Sequence, residues 1–324
     1  MQDEVHLIDL FQARARLRGH IRHTPLVASP SLSRHTGGAV HLKLDCLQIT
    51  GSFKLRGALN ALLRLSAEER TRGVIGVSTG NYGRALAHAA HSMGVRAVIC
   101  MSRLVPANKV ESIRALGADV RIVGDSQDEA ELEVARLVRE QGLIQLPPFD
   151  HADVVAGQGT AGLEILEDLP TVDTVLVPLS GGGLLAGIAL AMKSANPDIR
   201  VIGVSMERGC AMHASLRAGH PVQVEELPTL ADSLGGGIGL ANRYTFPMVQ
   251  RLVDDTVLVS EDEIAAAIRH AYVEERVIVE GAGAVGIAAL LGGHVKAGGV
   301  TAVVLSGQNI DMATHRRILD GESR

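Results

Sequence analysis

The stretch VLVPLSGGGLLAGIALAM, residues 175–192, passes from an apolar, β-branched run through a glycine triplet into a helix-forming run. In open α/β sheets ligands collect at the carboxyl ends of strands, and a glycine-rich strand-to-helix turn offers backbone N–H groups and a helix N-terminus to an anion. Ser180, Gly181, Gly182 and Gly183 carry no bulk that blocks close approach, and Leu184 opens the helix. A phosphate suits this turn. The plainer reading is a tight turn that lets the helix pack closely on the sheet.

Working outward, the runs RGVIGVS, VRAVICM, ADVRIVG, DTVLVPL, IRVIGVS and VTAVVLS are strand-like, and most are followed by ten or more residues of helical pattern. This alternation is the signature of an α/β protein with mainly parallel sheets flanked by helices. Residues 71–147 hold three such units and read as a small lobe. The PPFDH turn at 147–151 marks the return to the main body.

The chain has 324 residues, 46% hydrophobic and 21% charged, enough to bury a large core in two lobes. Its net charge of -5 is spread along the sequence, leaving no basic stripe for nucleic acid and no polybasic membrane patch. MQDEVHLIDLF lacks the order of a signal peptide, and no run reaches the roughly 20 apolar residues of a membrane span. Cys46, Cys100 and Cys210 are few, odd in number and far apart, which argues against a disulfide framework or a clustered metal site. A reducing, cytoplasmic setting is expected.

Other turns carry candidate chemistry. ITGSFKLRGALN, residues 49–60, sets Lys54 directly behind Phe53, one of four phenylalanines in a chain without tryptophan, between Gly51 and Gly57. A surface lysine needs no such surroundings, whereas a lysine reaching a cofactor uses them. GVSTGNYG brings Ser78, Thr79, Gly80 and Asn81 to a strand end, suited to a carboxylate or simply to an N-cap. LSGQN does the same with Ser306, Gly307 and Asn309. The second glycine triplet, Gly235–Gly237, follows no apolar strand and reads as a flexible loop. A dinucleotide fold is the rival, but the first loop departs from G-x-G-x-x-G by one place. Only Glu207, placed like a ribose-binding acid, keeps a nicotinamide-dependent oxidoreductase in view. His88 and His91 are given no role, and Met93 and Met101 are expected in the core.

GSFKLRGA, STGNYG, VAGQGT, SGGGLLAG and LSGQN, in this order, resemble the threonine/serine dehydratase branch of the pyridoxal-phosphate enzymes of fold type II, the tryptophan synthase β-like fold, which includes serine racemase. Agreement through MSRLVPANKV, GVSMERG and LADSLGGGIG is similar to the hydroxyectoine-utilisation dehydratases. The resemblance implies a large lobe of residues 1–70 and 148–324 around the small lobe, with pyridoxal 5'-phosphate as cofactor. It implies that Lys54 forms the internal aldimine, that Phe53 packs by the ring, and that Ser180, Gly181, Gly182, Gly183 and Leu184 hold the phosphate. Asn81 then meets the ring hydroxyl and Ser306 the ring nitrogen. Ser78, Thr79, Gly80 and Asn81 meet the substrate carboxylate.

A hydroxyl at Ser306 cannot keep the ring nitrogen protonated as a carboxylate would, which favours prompt loss of a β-leaving group. The implied reaction is loss of water from a β-hydroxy-α-amino acid, giving an oxo acid and ammonia. A hydroxy-diaminobutyrate derived from hydroxyectoine is the expected substrate, with threonine or serine dehydration and serine racemisation as alternatives. Thr79 matches an acid/base serine of racemases but is expected to bind carboxylate. Glu280 borders the ring by resemblance, as a structural or a functional partner. Tyr82 stands where many relatives have histidine, and Ser205, Gly209 and Ala211 stand where serine racemases carry an acidic cation site, so no metal is expected. No regulatory domain is expected after Arg324, and a homodimer is the habit of the family.

Overall fold

The structure, a computed structural model, describes residues 4–78, 80–103, 105, 107–125 and 127–322. Its strands, numbered along the chain, are β1 Leu26–Ala28, β2 Ala39–Lys43, β3 Val74–Val77, β4 Ala97–Met101, β5 Asp119–Ile122, β6 Ile144–Gln145, β7 Thr174–Pro178, β8 Arg200–Met206, β9 Asp255–Val259 and β10 Val300–Val304. Among the described residues they form two sheets, one of order β1-β2-β10-β7-β8-β9 and one of order β5-β4-β3-β6. Only the β1–β2 pair is antiparallel; every other pair is parallel. The α/β class expected from the alternating runs is what the chain adopts.

The central strands β3, β4, β7 and β10 are covered on both faces, which explains why they read as nearly continuous apolar runs, while the edge strands β1, β5 and β9 are partly exposed. Successive residues of β7 point to opposite sides. Val175 and Val177 join a core with the Ala152–Asp168 and Gly183–Ala195 helices, while Leu176 joins another with the Glu261–Val273 and Gly281–Leu291 helices. The smaller sheet is built alike. Val74 and Ile99 pack with Leu55, Leu59 and Leu62 of the Lys54–Arg64 helix, and Ile75, Val77 and Val98 pack with Val134 and Leu137 on the other face. Met101 is fully buried and Met93 packs against the same core.

Helices meet closely around the Lys54–Arg64 helix. A Cβ on Gly157 would lie 2.5 Å from the Arg56 carbonyl oxygen, and one on Gly187 2.6 Å from the Val155 oxygen. Glycine at these places lets three helix backbones touch. Side-chain charges complete the join. The buried Arg56 guanidinium donates to Asp45 (2.8 and 2.9 Å), Glu164 (2.6 and 2.8 Å), Thr24 and Thr160 (both 3.2 Å). Lys43, also fully buried, pairs with Glu164 at 2.7 Å. Burial alone would raise the Asp45 carboxyl, but the Arg56 guanidinium holds it below its ordinary value. This network ties β2, the Ala152–Asp168 helix and the first turn of the Lys54–Arg64 helix into one support.

Cys46, Cys100 and Cys210 are buried and unpaired. Among the described residues, no helix is long and apolar enough to cross a membrane.

Candidate active site

The residues following β3, β7 and β10 meet at one cleft of about 480 Å³, lined by Phe53, Lys54, Asn81, Ser180–Leu184, Glu280 and Ser306. From β7 the chain turns through Ser180 and Gly181 to Gly182, whose φ of +86° only glycine adopts without strain. The Gly183–Ala195 helix starts there with no side-chain cap, so its first N–H groups are left for a guest anion. A Cβ at Gly181 would lie 2.4 Å from the Phe149 ring, so the loop and this ring are fitted to each other.

Lys54 enters from the opposite wall. Its ammonium donates to the Pro148 carbonyl oxygen at 3.2 Å and lies 5.2 Å from the Phe53 ring centroid and 6.0 Å from that of Tyr82. Burial lowers its pKa to about 8, although the Glu280 carboxylate pulls the other way. A lysine in this state is deprotonated readily and serves as nucleophile or base near neutral pH. The Phe53 amide donates to the Ser306 carbonyl oxygen at 3.0 Å, which binds the lysine turn to the loop after β10.

A polar chain runs along the third wall. The Asn81 amide donates to Glu280 Oε1 at 2.6 Å, and its oxygen accepts from the Asn309 amide at 2.6 Å. Burial and the nearby Asp232 charge raise the Glu280 carboxyl to about 7. Gly307 is needed beside it, since a Cβ there would lie 2.4 Å from Glu280 Oε1. Ser78 has another occupation. Its Oγ accepts from the Gly80 and Gly83 amides (3.2 and 2.6 Å), capping the Asn81–Ser92 helix, and Ser78 does not line the cleft. Thr79 lies outside the described residues. Tyr82 turns inward, its hydroxyl donating to the Leu146 carbonyl oxygen at 2.6 Å, and burial raises its pKa.

Several lining residues escaped the sequence reading: Pro148, Phe149, Gln158, Ser233 and Leu234. PPFDH was visible as a turn and Gln158 lies in VAGQGT, so both stretches carried a signal without a role. The Gln158 Oε1 is buried with no hydrogen-bond partner among the described residues. Glu207, the ribose-acid candidate, is exposed beyond β8.

An uncapped helix start behind a glycine turn, facing a partly buried lysine of lowered pKa, defines a site for a phosphorylated carbonyl cofactor. The glycine cradle and the uncapped helix start fit pyridoxal phosphate. Residues 17–307 match the family model described as "Pyridoxal-phosphate dependent enzyme", and the chain belongs to that family. It is 62% identical over 314 residues, 97% of this chain and 95% of the relative, to a putative threonine dehydratase of Sinorhizobium fredii. An L-threonine ammonia-lyase of Thermotoga maritima is 44% identical, covering 98% of this chain and 78% of its own. The solved structure of maize serine racemase superposes with a TM-score of 0.92 at 33% identity, covering 98% and 97% of the two chains. The nicotinamide alternative finds no counterpart in these relatives.

Proposed function

We propose that the chain is a lyase that eliminates water from a β-hydroxy-α-amino acid, the resulting enamine then tautomerising and taking up water to give an oxo acid and ammonia. The observation that carries this is Lys54, lowered to about 8 by burial, facing the glycine cradle across a cleft whose remaining wall holds the neutral hydroxyl of Ser306. The threonine dehydratase and threonine ammonia-lyase relatives support the reaction class. In this reading Ser180–Leu184 hold the cofactor phosphate, Asn81 its ring hydroxyl, Ser306 its ring nitrogen, and Phe53 packs beside the ring. Bound there, pyridoxal phosphate supplies a sink for the electron pair released at Cα.

The chain's own residues do the rest. Lys54, neutral in part near pH 8, takes the α-proton and then carries the proton that the departing β-hydroxyl needs. Ser306 donates or accepts one hydrogen bond without placing a charge by the ring, which favours elimination over a long-lived carbanion. Gly80 and Asn81 border the outer end of the cleft, where a substrate carboxylate meets the start of the Asn81–Ser92 helix. Thr79 is assigned from the sequence to the same carboxylate. The similarity of MSRLVPANKV and LADSLGGGIG to hydroxyectoine-utilisation dehydratases supports a hydroxylated diaminobutyrate as substrate. The test is mass-resolved product analysis of the holoenzyme on a panel of threonine, serine and γ-N-acetylated 3-hydroxy-2,4-diaminobutyrate. Oxo acid and ammonia in equal amounts support the proposal. A D-amino acid without ammonia makes the protein a racemase, and no turnover of any of them removes the reading.

A further inference from the structure

A second cavity of about 700 Å³ opens from the first, sharing Asn81, Ser233 and Glu280 with it and adding Arg84, Lys109 and Asp311. Its charged groups are almost all answered within the chain. Lys109 pairs with Asp232 at 2.7 Å, Asp311 caps the Met312–Leu319 helix through the Thr314 amide at 2.8 Å, and Glu280 accepts from Asn81. Arg84 is different. Among the described residues it is in no ion pair, and its one side-chain acceptor is the neutral Asn309 oxygen at 2.5 Å. A guanidinium has five N–H donors in a planar fork, so this contact leaves most of them unused.

Position gives the unused donors a meaning. Arg84 follows Asn81 by three residues on the Asn81–Ser92 helix, hence on the same face. The two are also joined through Asn309, which accepts from Arg84 and donates to Asn81. Arg84 is thus held at the outer cavity, and Asn81 at the inner one. Threonine, whose side chain ends in a methyl group one carbon past its β-carbon, has no acceptor beyond the β-carbon for a guanidinium to bind.

Resting on the proposed β-elimination, we infer that Arg84 is a specificity-determining residue that binds a planar oxygen acceptor on the substrate side chain, beyond the β-carbon. A carboxylate and an amide carbonyl share this chemistry, and the fork geometry receives either. The test measures binding to the holoenzyme by calorimetry, using three amino acids that lack the β-hydroxyl and so cannot eliminate: norvaline, glutamate and Nγ-acetyl-2,4-diaminobutyrate. The acceptor-bearing ligands are expected to bind about 10- to 100-fold tighter than norvaline, the range of a hydrogen bond to a charged group. In Arg84→Met that preference collapses, and Arg84→Lys restores part of it for glutamate. A preference for glutamate identifies the acceptor as a carboxylate; a preference for the acetylated ligand identifies it as an amide. Retention of the cofactor's visible band shows that the variants are folded. Equal affinity for all three ligands in the wild type overturns the inference, as does an equal loss for norvaline in Arg84→Met, which would place Arg84 on the α-carboxylate. Failure of the parent reading looks different: neither threonine nor any extended β-hydroxy amino acid is turned over.

Discussion

Replacing Glu280 by glutamine changes one charge in the cleft and almost no shape. The Asn81 amide can still donate to the side-chain oxygen it now meets at 2.6 Å, and the backbone bond from residue 280 to the Gly307 oxygen at 3.1 Å is untouched. What disappears is a carboxyl that burial and Asp232 hold at about 7, against an ordinary value of 4.5. In the unfolded chain this group ionises near 4.5, while in the folded chain it keeps its proton until about 7. Its raised pKa therefore favours the fold below pH 4.5, and that advantage is lost as pH rises to 7. The difference amounts to on the order of 3 kcal/mol. Urea unfolding of the cofactor-free protein from pH 4.5 to 8 should show this slope in the wild type, and the Glu280→Gln variant should be flatter by about that amount. A second consequence is independent of stability. The Glu280 carboxylate raises Lys54 against the larger effect of burial, so removing it should move the midpoint for covalent cofactor attachment to Lys54 below about 8. Parallel pH profiles for the two proteins, in both measurements, would refute the placement of a titrating Glu280 beside Lys54.

Two further outcomes follow from the support around the site. Arg56→Met leaves the fully buried Asp45 carboxylate without its guanidinium, so a loss of roughly 3–5 kcal/mol is expected in urea unfolding at pH 8. The loss should shrink at pH 5, because burial without Arg56 raises the Asp45 pKa, and a raised carboxyl favours the fold at low pH. Gly181→Ala puts a Cβ 2.4 Å from the Phe149 ring, so the cradle must shift, and affinity for pyridoxal phosphate in equilibrium dialysis should fall by about tenfold or more. An unchanged affinity would take Gly181 out of the phosphate loop.

The strands in RGVIGVS, VRAVICM, DTVLVPL, IRVIGVS and VTAVVLS were legible because helices cover both of their faces and leave them largely apolar, whereas the edge strand in ADVRIVG, half exposed, was legible from its alternating apolar and charged residues. β2, with sequence AVHLK, was not, since it buries Lys43, and its neutralising partner Glu164 lies far along the chain. Arg56 was missed for the same reason: nothing local distinguishes an arginine that meets Asp45 and Glu164 from one in water. The glycine turn after β7 and the lysine turn after Phe53 were legible because close approach demands glycine and excludes bulk. Ser233 and Leu234 were not, because their stretch follows no apolar strand, and Phe149, though in the visible PPFDH turn, had nothing local to show that its ring meets the glycine loop. Ser78 shows the opposite case, a hydroxyl in a promising motif whose oxygen is occupied by capping a helix.

The most direct test of Lys54 as the group at the reacting centre is borohydride reduction of the holoenzyme followed by peptide mass mapping. Reduction fixes the cofactor to the lysine that carries it. The phosphopyridoxyl mass is expected on the peptide containing Lys54 and is absent in Lys54→Ala. Finding it instead on Lys43, Lys109, Lys193 or Lys296, or on no lysine, would contradict the site described.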